Sequence, residues 1–594
     1  MTGQLNRVDV TVLPMGWTNL LPSEASGSWS PTPSPDGRHL AYVSDRSGRP
    51  QVWVQPVGSE LAFLVDTGEA PVAEVQWSSG GGWLACQLAP GGAPRHEVWL
   101  VRPDGSELHQ IAGFGADTAD NMRWLPGRSL LVLTENLTSA LLVDAVTGER
   151  IPVATGELIS LLDVDPARSR ALLRIGPRGD RHIVVRDLAT GVDEFVTGGE
   201  QAVFGVDGAT VYARAETGEF PMLIRVTDGR AEVLAADPAA EVETFTVTAD
   251  GGNVAILWNV RGGESAVTFL DGASLDLPGS VVSGLRWSHD GSTLAFTAEG
   301  PGRPHGVWVH SSDTGLTPVS ADPAAPGAVH PTLLTFPAHD GLTLTGWLFQ
   351  PATPGPHPTV LWFHGGPEAQ ERPGHGPLFQ SLVDRGIAVF APNVRGSAGF
   401  GRSFVNADNL ANRYAAIEDV RSCVNHLVDA GIADASRVGC MGRSYGGYLT
   451  LAALTWFPDL FAVGIDVCGM SNFATFYEHT EPWIAAAAVS KYGDPVTDEA
   501  LLADLSPITR IDRLRAPLMI VHGENDSNVP LIEAEQVVAA LQARGLPHRF
   551  LLFPDEGHEL LHRSSRADYL RETVDWLTTH LTPYALLEPA GRRD

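Results

Sequence analysis

The sequence predicts two domains of different class: an all-β propeller over residues 1–325 and an α/β domain with a parallel sheet over residues 326–594. Three observations predict this. The first half repeats a strand–turn–strand pattern, a linker-like stretch interrupts the chain near Asp322, and the second half alternates short apolar strands with helices. A chain of 594 residues exceeds one ordinary hydrophobic core, so two large domains are expected on size alone.

The repeat reads SPDGRHLAYVS around Asp36, SSGGGWLACQL around Gly81 and LPGRSLLVLT around Gly127. It continues through DPARSRALLRI around Asp165, VDGATVYARA around Asp207, TADGGNVAIL around Asp250 and SHDGSTLAFT around Asp290. A spacing of about 40–45 residues is the period of four-stranded propeller blades. Each Asp-Gly or Gly-Gly suits a hairpin turn that needs positive φ between alternating strands. Trp77, Trp124 and Trp287 stand just before their turns, a repeated packing position. Seven marks predict seven blades, the fourth and fifth being the most degenerate. The first ~20 residues are candidates to pack on the second domain.

After Asp322-Pro-Ala-Ala-Pro-Gly the regime changes. GLTLTGWLFQP, HPTVLWFHGGP, IAVFAPNVRG, RVGCMGRSYGG, FAVGIDVCG, APLMIVHGEND and HRFLLFPDEGH are apolar strands that end in polar or glycine-rich loops. Helical stretches such as 415–430 and 531–544 separate several of them. Such alternation means a parallel sheet buried on both faces, with functional groups at the strand carboxyl ends.

Gly442-Arg443-Ser444-Tyr445-Gly446 is a G-x-S-x-G between a buried strand and an apolar helix. That is the nucleophile-elbow context of an α/β-hydrolase domain. A serine hydroxyl needs an imidazole base and a carboxylate that orients it, following the serine in the order acid, then histidine. Asp526, in the turn after PLMIV, is assigned as the acid, and His558, in the turn after RFLLF, as the base. Asp466 lies inside a strand and Asp494 in a later loop, so both rank behind Asp526; His364 and His522 are read as loop-holding residues. Two backbone N–H groups must face the developing oxyanion; Tyr445 supplies one and Gly366, in His364-Gly365-Gly366-Pro367, the other.

His558-Glu559-Leu560-Leu561-His562 also matches H-E-x-x-H. A zinc site needs both histidines on one mid-helix face and a third ligand downstream. Here the first histidine follows a strand-end turn and no downstream ligand cluster is evident, so no metal or cofactor is expected.

These residues resemble the prolyl oligopeptidase family of serine peptidases, in particular its acylaminoacyl-peptidase and dipeptidyl-peptidase-like branches. The likeness rests on HGGP at 364–367, Asn393-x-Arg395-Gly396-Ser397-x-Gly399-Phe400-Gly401, GRSYGG at 442–447, HGENDSNVP at 522–530 and DEGH at 555–558. The resemblance implies hydrolysis of short peptides, with the propeller excluding large folded substrates. It places the same triad on Ser444, Asp526 and His558, and sets Asn528 to hold a substrate carbonyl. Oligopeptidases often carry arginine there, so asparagine leans toward an amino-terminal exopeptidase. It also puts Phe476, Tyr477 and Trp483 in the region lining the specificity pocket. Glutamates from the propeller anchor the substrate amine in such exopeptidases, yet no Glu-Glu pair occurs in residues 20–325.

The expected activity is therefore an aminopeptidase or acylaminoacyl-peptidase acting through an acyl-enzyme. An esterase or amidase on small molecules uses the same machinery and is the alternative; a binding protein with a dead hydrolase domain is disfavoured by the intact Ser, Asp, His and HGGP set. A net charge of -30 argues against nucleic acid or anionic membrane as a partner, and a homo-oligomer is compatible with the chain. Cys86, Cys423, Cys440 and Cys468 form no C-x-x-C pair and read as buried free thiols. No signal-peptide pattern or membrane-length apolar run is found, which makes a cytoplasmic enzyme the expectation.

Overall fold

The computed structural model describes residues 26–582, apart from Pro166 and Arg178. The first 20 residues, expected to pack on the second domain, lie outside the described residues.

The amino-terminal half is a β-propeller in which consecutive strands pair antiparallel as meanders. Five of its sheets have four strands and one has seven. Within the seven-stranded sheet, the long strand Asp193–Phe204 turns at Gly199, pairing with His182–Asp187 on one side and Val211–Ala215 on the other. The ring closes between its ends: Ser28 Oγ meets Ser320 Oγ at 2.8 Å, and the Gln55 amide donates to the Val319 carbonyl at 2.8 Å. Leu40 and Tyr42 from the first sheet share a buried cluster with Ala295, Val307 and Val309 from the last. Trp77, Trp124 and Trp287 each end the first strand of their sheet, the repeated position expected. The turn glycines that follow adopt positive φ, 76° at Gly81 and 71° at Gly291, a conformation open to a residue without a side chain at no steric cost.

Residues 321–331 carry no regular structure. The second domain then builds an eight-stranded sheet from β1 (Thr332–Pro337), β2 (Thr343–Phe349), β3 (His357–Phe363), β4 (Ala388–Asn393), β5 (Ala433–Arg443), β6 (Val463–Val467), β7 (Leu518–Gly523) and β8 (His548–Phe553). Their spatial order is β1-β2-β4-β3-β5-β6-β7-β8. Strands β3 to β8 run parallel, while β1 and β2 pair antiparallel at one edge. The seven apolar strands expected from sequence are all present. The eighth, β1, escaped because TLLTFP mixes polar and apolar residues on an exposed edge, where no continuous apolar run is required. One core cluster, with Ile417, Val420, Leu451 and Val537, covers one sheet face; another, with Leu382, Val360, Ile465 and Leu577, covers the other. This two-sided burial explains why the strands read as unbroken hydrophobic runs.

The domains interlock through polar contacts. Arg372 donates to both Glu243 carboxylate oxygens at 2.9 and 3.1 Å and to the Gly263 carbonyl at 2.6 Å. The Trp347 indole donates to the Gly262 carbonyl at 2.8 Å, and Arg566 pairs with Asp45.

Candidate active site

The loops that follow β3, β4, β5, β6, β7 and β8 converge at one edge of the sheet. Ser444 follows β5 directly and opens the helix Tyr445–Trp456. Its φ of 59° and ψ of -119° are a sparsely populated backbone state, which costs about 1–3 kcal/mol and persists only where the surroundings impose it. The flanking glycines make the turn feasible. A Cβ on Gly442 would overlap the Gly446 carbonyl, and one on Gly446 would overlap the Phe363 carbonyl at the end of β3.

Because β3 lies beside β5 in the sheet, the His364–Pro367 loop comes directly over the elbow. A Cβ on Gly365 would be 3.4 Å from Ser444 Cβ and 4.0 Å from its Oγ. The His364 ring bridges the Gly365 carbonyl at 2.7 Å and Ser397 Oγ at 2.8 Å, fixing this loop to the one after β4. Asn393 clamps the same segment, accepting from the Glu371 N–H at 2.8 Å and donating to its carbonyl at 3.1 Å. Arg395 is anchored between Asp419 and Asp340. Asn393 and Ser397 of the Asn-x-Arg-Gly-Ser motif thus hold the loop beside the serine, while Arg395 anchors the motif's own loop to Asp419 and Asp340.

Asp526 and His558 meet from the loops after β7 and β8. The Asp526 Oδ2 to His558 Nδ1 distance is 2.8 Å, and Asp526 Oδ1 accepts from the N–H groups of Asn528 and Val529, both at 2.9 Å. Burial of Asp526 would raise its pKa, but the His558 ring and these donors outweigh it and hold the carboxyl below its ordinary range. For His558, burial opposes the charged ring, yet Cys468 and Asp526 beside it outweigh that and push it up to about 10. His522 donates its support to the same turn, with Nε2 2.8 Å from the Val529 carbonyl.

Sequence reasoning missed several residues here. Arg443, the variable position of G-x-S-x-G, donates to the His558 carbonyl at 2.6 Å and pairs with Glu559. Arg413, fully buried, donates to the Tyr445 hydroxyl at 2.6 Å and pairs with the equally buried Asp408. Lys491 joins them, 2.7 Å from Glu368, the residue after HGGP, and 3.7 Å from Asp408. One charge network therefore supports both Tyr445 and the HGGP loop; its members are scattered over more than 120 residues, so spacing carries no signal.

Of the other sequence candidates, Asn528 is half-buried and its side-chain amide has no hydrogen-bond partner among the described residues. Phe476 is 2% exposed, packed edge-on against Phe473 and Tyr477. The Tyr477 hydroxyl donates to the Gly493 carbonyl at 2.8 Å, and Trp483 is half-buried at the start of the helix Pro482–Tyr492. Asp466 is buried beneath the elbow and accepts from the Gly469 N–H at 2.9 Å, away from His558. The H-E-x-x-H segment, residues 558–562, precedes the helix Arg563–Leu581, and His562 faces Glu556 at 3.1 Å. The two histidines therefore do not share the helix face that a zinc peptidase uses.

An elbow serine on a parallel sheet, with a carboxylate–imidazole pair on loops at the same sheet edge and a propeller packed against the domain, is the arrangement of an α/β-hydrolase domain. Residues 377–583 match the model of the prolyl oligopeptidase family. Dipeptidyl aminopeptidase BIII of Pseudoxanthomonas mexicana is 39% identical over 242 residues, 40% of this chain and 35% of that protein. The acylamino-acid-releasing enzyme of Homo sapiens is 29% identical over 252 residues, 41% of this chain and 34% of that protein. The matched stretches span about a third of these curated relatives, as the quoted shares show. Among solved structures, puromycin hydrolase superposes with a TM-score of 0.82 at 17% identity, covering 96% of both chains. Acylaminoacyl peptidase of Pyrococcus horikoshii does so with 0.70 at 17% identity, covering 94% of this chain and 96% of that one. At these identities the structures speak for the shared two-domain fold alone.

Proposed function

We propose that this protein is a serine peptidase that removes amino-terminal residues from short peptides or aminoacyl amides, of aminopeptidase or acylaminoacyl-peptidase type. The observation that carries the reading is the 2.8 Å Asp526–His558 pair on loops at the same sheet edge as the strained elbow of Ser444. Ser444 Oγ attacks the carbonyl carbon while His558 takes its proton. The N–H groups of Tyr445 and Gly366 hold the oxyanion, and His558 then gives the proton to the leaving amine. Water repeats the sequence on the acyl-enzyme and restores the serine. Asp526 keeps the imidazole oriented and stabilises its charged form. Asn528 offers its free amide to a substrate carbonyl, and the family resemblance assigns Phe476, Tyr477 and Trp483 to the specificity pocket.

A boundary at residues 325/326, inside the unstructured 321–331 stretch, divides propeller from catalytic domain. Counting the seven-stranded sheet as two blades that share Asp193–Phe204 gives seven blades. Peptide rather than nucleic acid or membrane surface suits a net charge of -30; among the described residues no helix is long and apolar enough to cross a membrane. A cytoplasmic site of action fits the four buried, unpaired cysteines.

Hydrolysis of aminoacyl- and N-acetyl-aminoacyl-p-nitroanilides, with and without a serine-directed phosphonate, tests the proposal. Phosphonate-sensitive release from one substrate series, lost in Ser444→Ala with unchanged Tm, is the expected result. Turnover that survives Ser444→Ala overturns it, and faster cleavage of matched esters than of any peptide amide favours a small-molecule esterase instead.

A further inference from the structure

Cys468 is the first residue after β6, one position beyond the Val467 carbonyl that accepts the Ser444 N–H at 2.8 Å. It is 3% exposed and unpaired, with φ of 41°, a left-handed backbone that a side-chain-bearing residue rarely adopts. The peptide is locked there by its own N–H, which donates to the Val521 carbonyl of β7 at 2.8 Å. This posture brings the thiol to the acid–base pair. Cys468 Sγ, an Asp526 carboxylate oxygen and a His558 ring nitrogen all lie within 4.8 Å of one another. No other trio of metal-ligating groups stands so close among the described residues.

Thiolate, imidazole and carboxylate are the three ligand types that zinc takes, and three protein ligands with an open fourth position form a common zinc geometry. Bonds of about 2.0–2.3 Å around a tetrahedral ion separate ligand atoms by roughly 3.3–3.8 Å. The trio therefore closes by about an ångström, within reach of a small side-chain rotation. A cleft of about 190 Å3 lined by Trp362, Cys468, His558 and Tyr569 gives an ion access. The net charge of -30 enriches cations near the surface. The two arginines lining the cleft are already engaged, Arg443 by Glu559 and Arg566 by Asp45.

We propose that Cys468, Asp526 and His558 form a reversible inhibitory site for a thiophilic divalent cation, zinc being the type ligand. On binding, the Cys468 thiol and the ligating His558 nitrogen release their protons to solvent; no electrons are transferred. The occupied imidazole then has no lone pair for the Ser444 proton, so the cation silences acyl transfer. Inhibition rests on the triad reading above, whereas cation binding does not. A chelator accordingly raises activity, opposite to its effect on a metallopeptidase.

The test uses the full-length protein, stripped by a chelator and titrated with Co2+ and with Zn2+. The expected result is a thiolate-to-cobalt charge-transfer absorption at one equivalent per chain, with hydrolysis lost in parallel under Zn2+ and restored by chelator. Ser444→Ala keeps the absorption, and Cys86→Ser, altering a buried thiol in the propeller, keeps it too. Cys468→Ser loses it and weakens zinc binding at least about tenfold; His558→Ala weakens zinc likewise, guarding against a folding defect in one variant. Absence of the absorption in the unaltered protein, or equal zinc affinity in Cys468→Ser, overturns the site. If the stripped protein hydrolyses nothing, the peptidase reading fails, while the cobalt spectrum still decides the metal site.

Discussion

Gly92 of the propeller and Gly557 of the catalytic domain touch backbone to backbone, one residue before His558. A Cβ on Gly92 would stand 2.8 Å from the Gly557 nitrogen, and a Cβ on Gly557 would overlap the Gly92 carbonyl. The Asn525 amide adds a bond to the Gly91 carbonyl at 3.2 Å. The propeller is thus more than a cover: its loop at residues 90–92 packs on the loop that carries His558. Gly557→Ala is expected to cost about 1–3 kcal/mol by overpacking and to lower kcat/KM at least about tenfold, since small misplacement of reacting groups is expensive. Urea melts together with p-nitroanilide kinetics check both; a variant of unaltered rate would uncouple the propeller from the base.

Removal of Arg413 is expected to act on both folding and rate. Its guanidinium and the Asp408 carboxylate are each fully buried, and stripping one partner from such a pair costs about 3–5 kcal/mol. Arg413 also stacks over the rings of Tyr445 and Tyr492, 4.9 and 5.0 Å from their centroids. In Arg413→Met, measured at a temperature where the variant stays folded, kcat should fall with little change in KM, because the Tyr445 N–H is engaged only as charge develops on the oxyanion.

The rate should depend on pH through His558. A general base works when neutral, so activity falls as pH drops through its pKa. Since Cys468 and Asp526 raise that value, the acid limb of kcat/KM should lie above the ~6.5 of free imidazole. Cys468→Ala deletes one raising neighbour and should move the limb to lower pH. The matching stability term has the opposite course: the charged His558–Asp526 pair stabilises the fold fully below about 6.5 and loses this as pH rises through about 10. A pH series of rates and of Tm values reads both.

Asp526→Asn should lower kcat by about 10^4-fold, the amide favouring the wrong imidazole tautomer. Its remaining oxygen can still accept from the Asn528 and Val529 N–H groups, so Tm should move little. A loss of fold equal to the loss of rate would assign Asp526 to structure instead.

Local pattern made much of this legible in advance. The apolar strands announced themselves because burial on both sheet faces removes any need for alternation. Gly442 and Gly446 are forced by contacts with main-chain carbonyls, and Asp526 and His558 each follow a strand in a turn too polar for the core. Strand β1 was not legible because an edge tolerates mixed residues. The Arg413–Asp408–Lys491–Glu368 network was not either, since charges spread over that length of chain give no spacing to read.

The sequence by itself determined the two-domain architecture, the elbow and the strand-end turns that carry Asp526 and His558, because these follow from the periodicity of burial and from turn chemistry. Only the tertiary structure decided that β3 lies beside β5, bringing the HGGP loop over Ser444, that Gly92 presses on the loop of His558, and that Cys468 joins the acid–base pair. Strand order and domain docking are set by the whole packed core, and no local run of residues encodes which strand ends will meet.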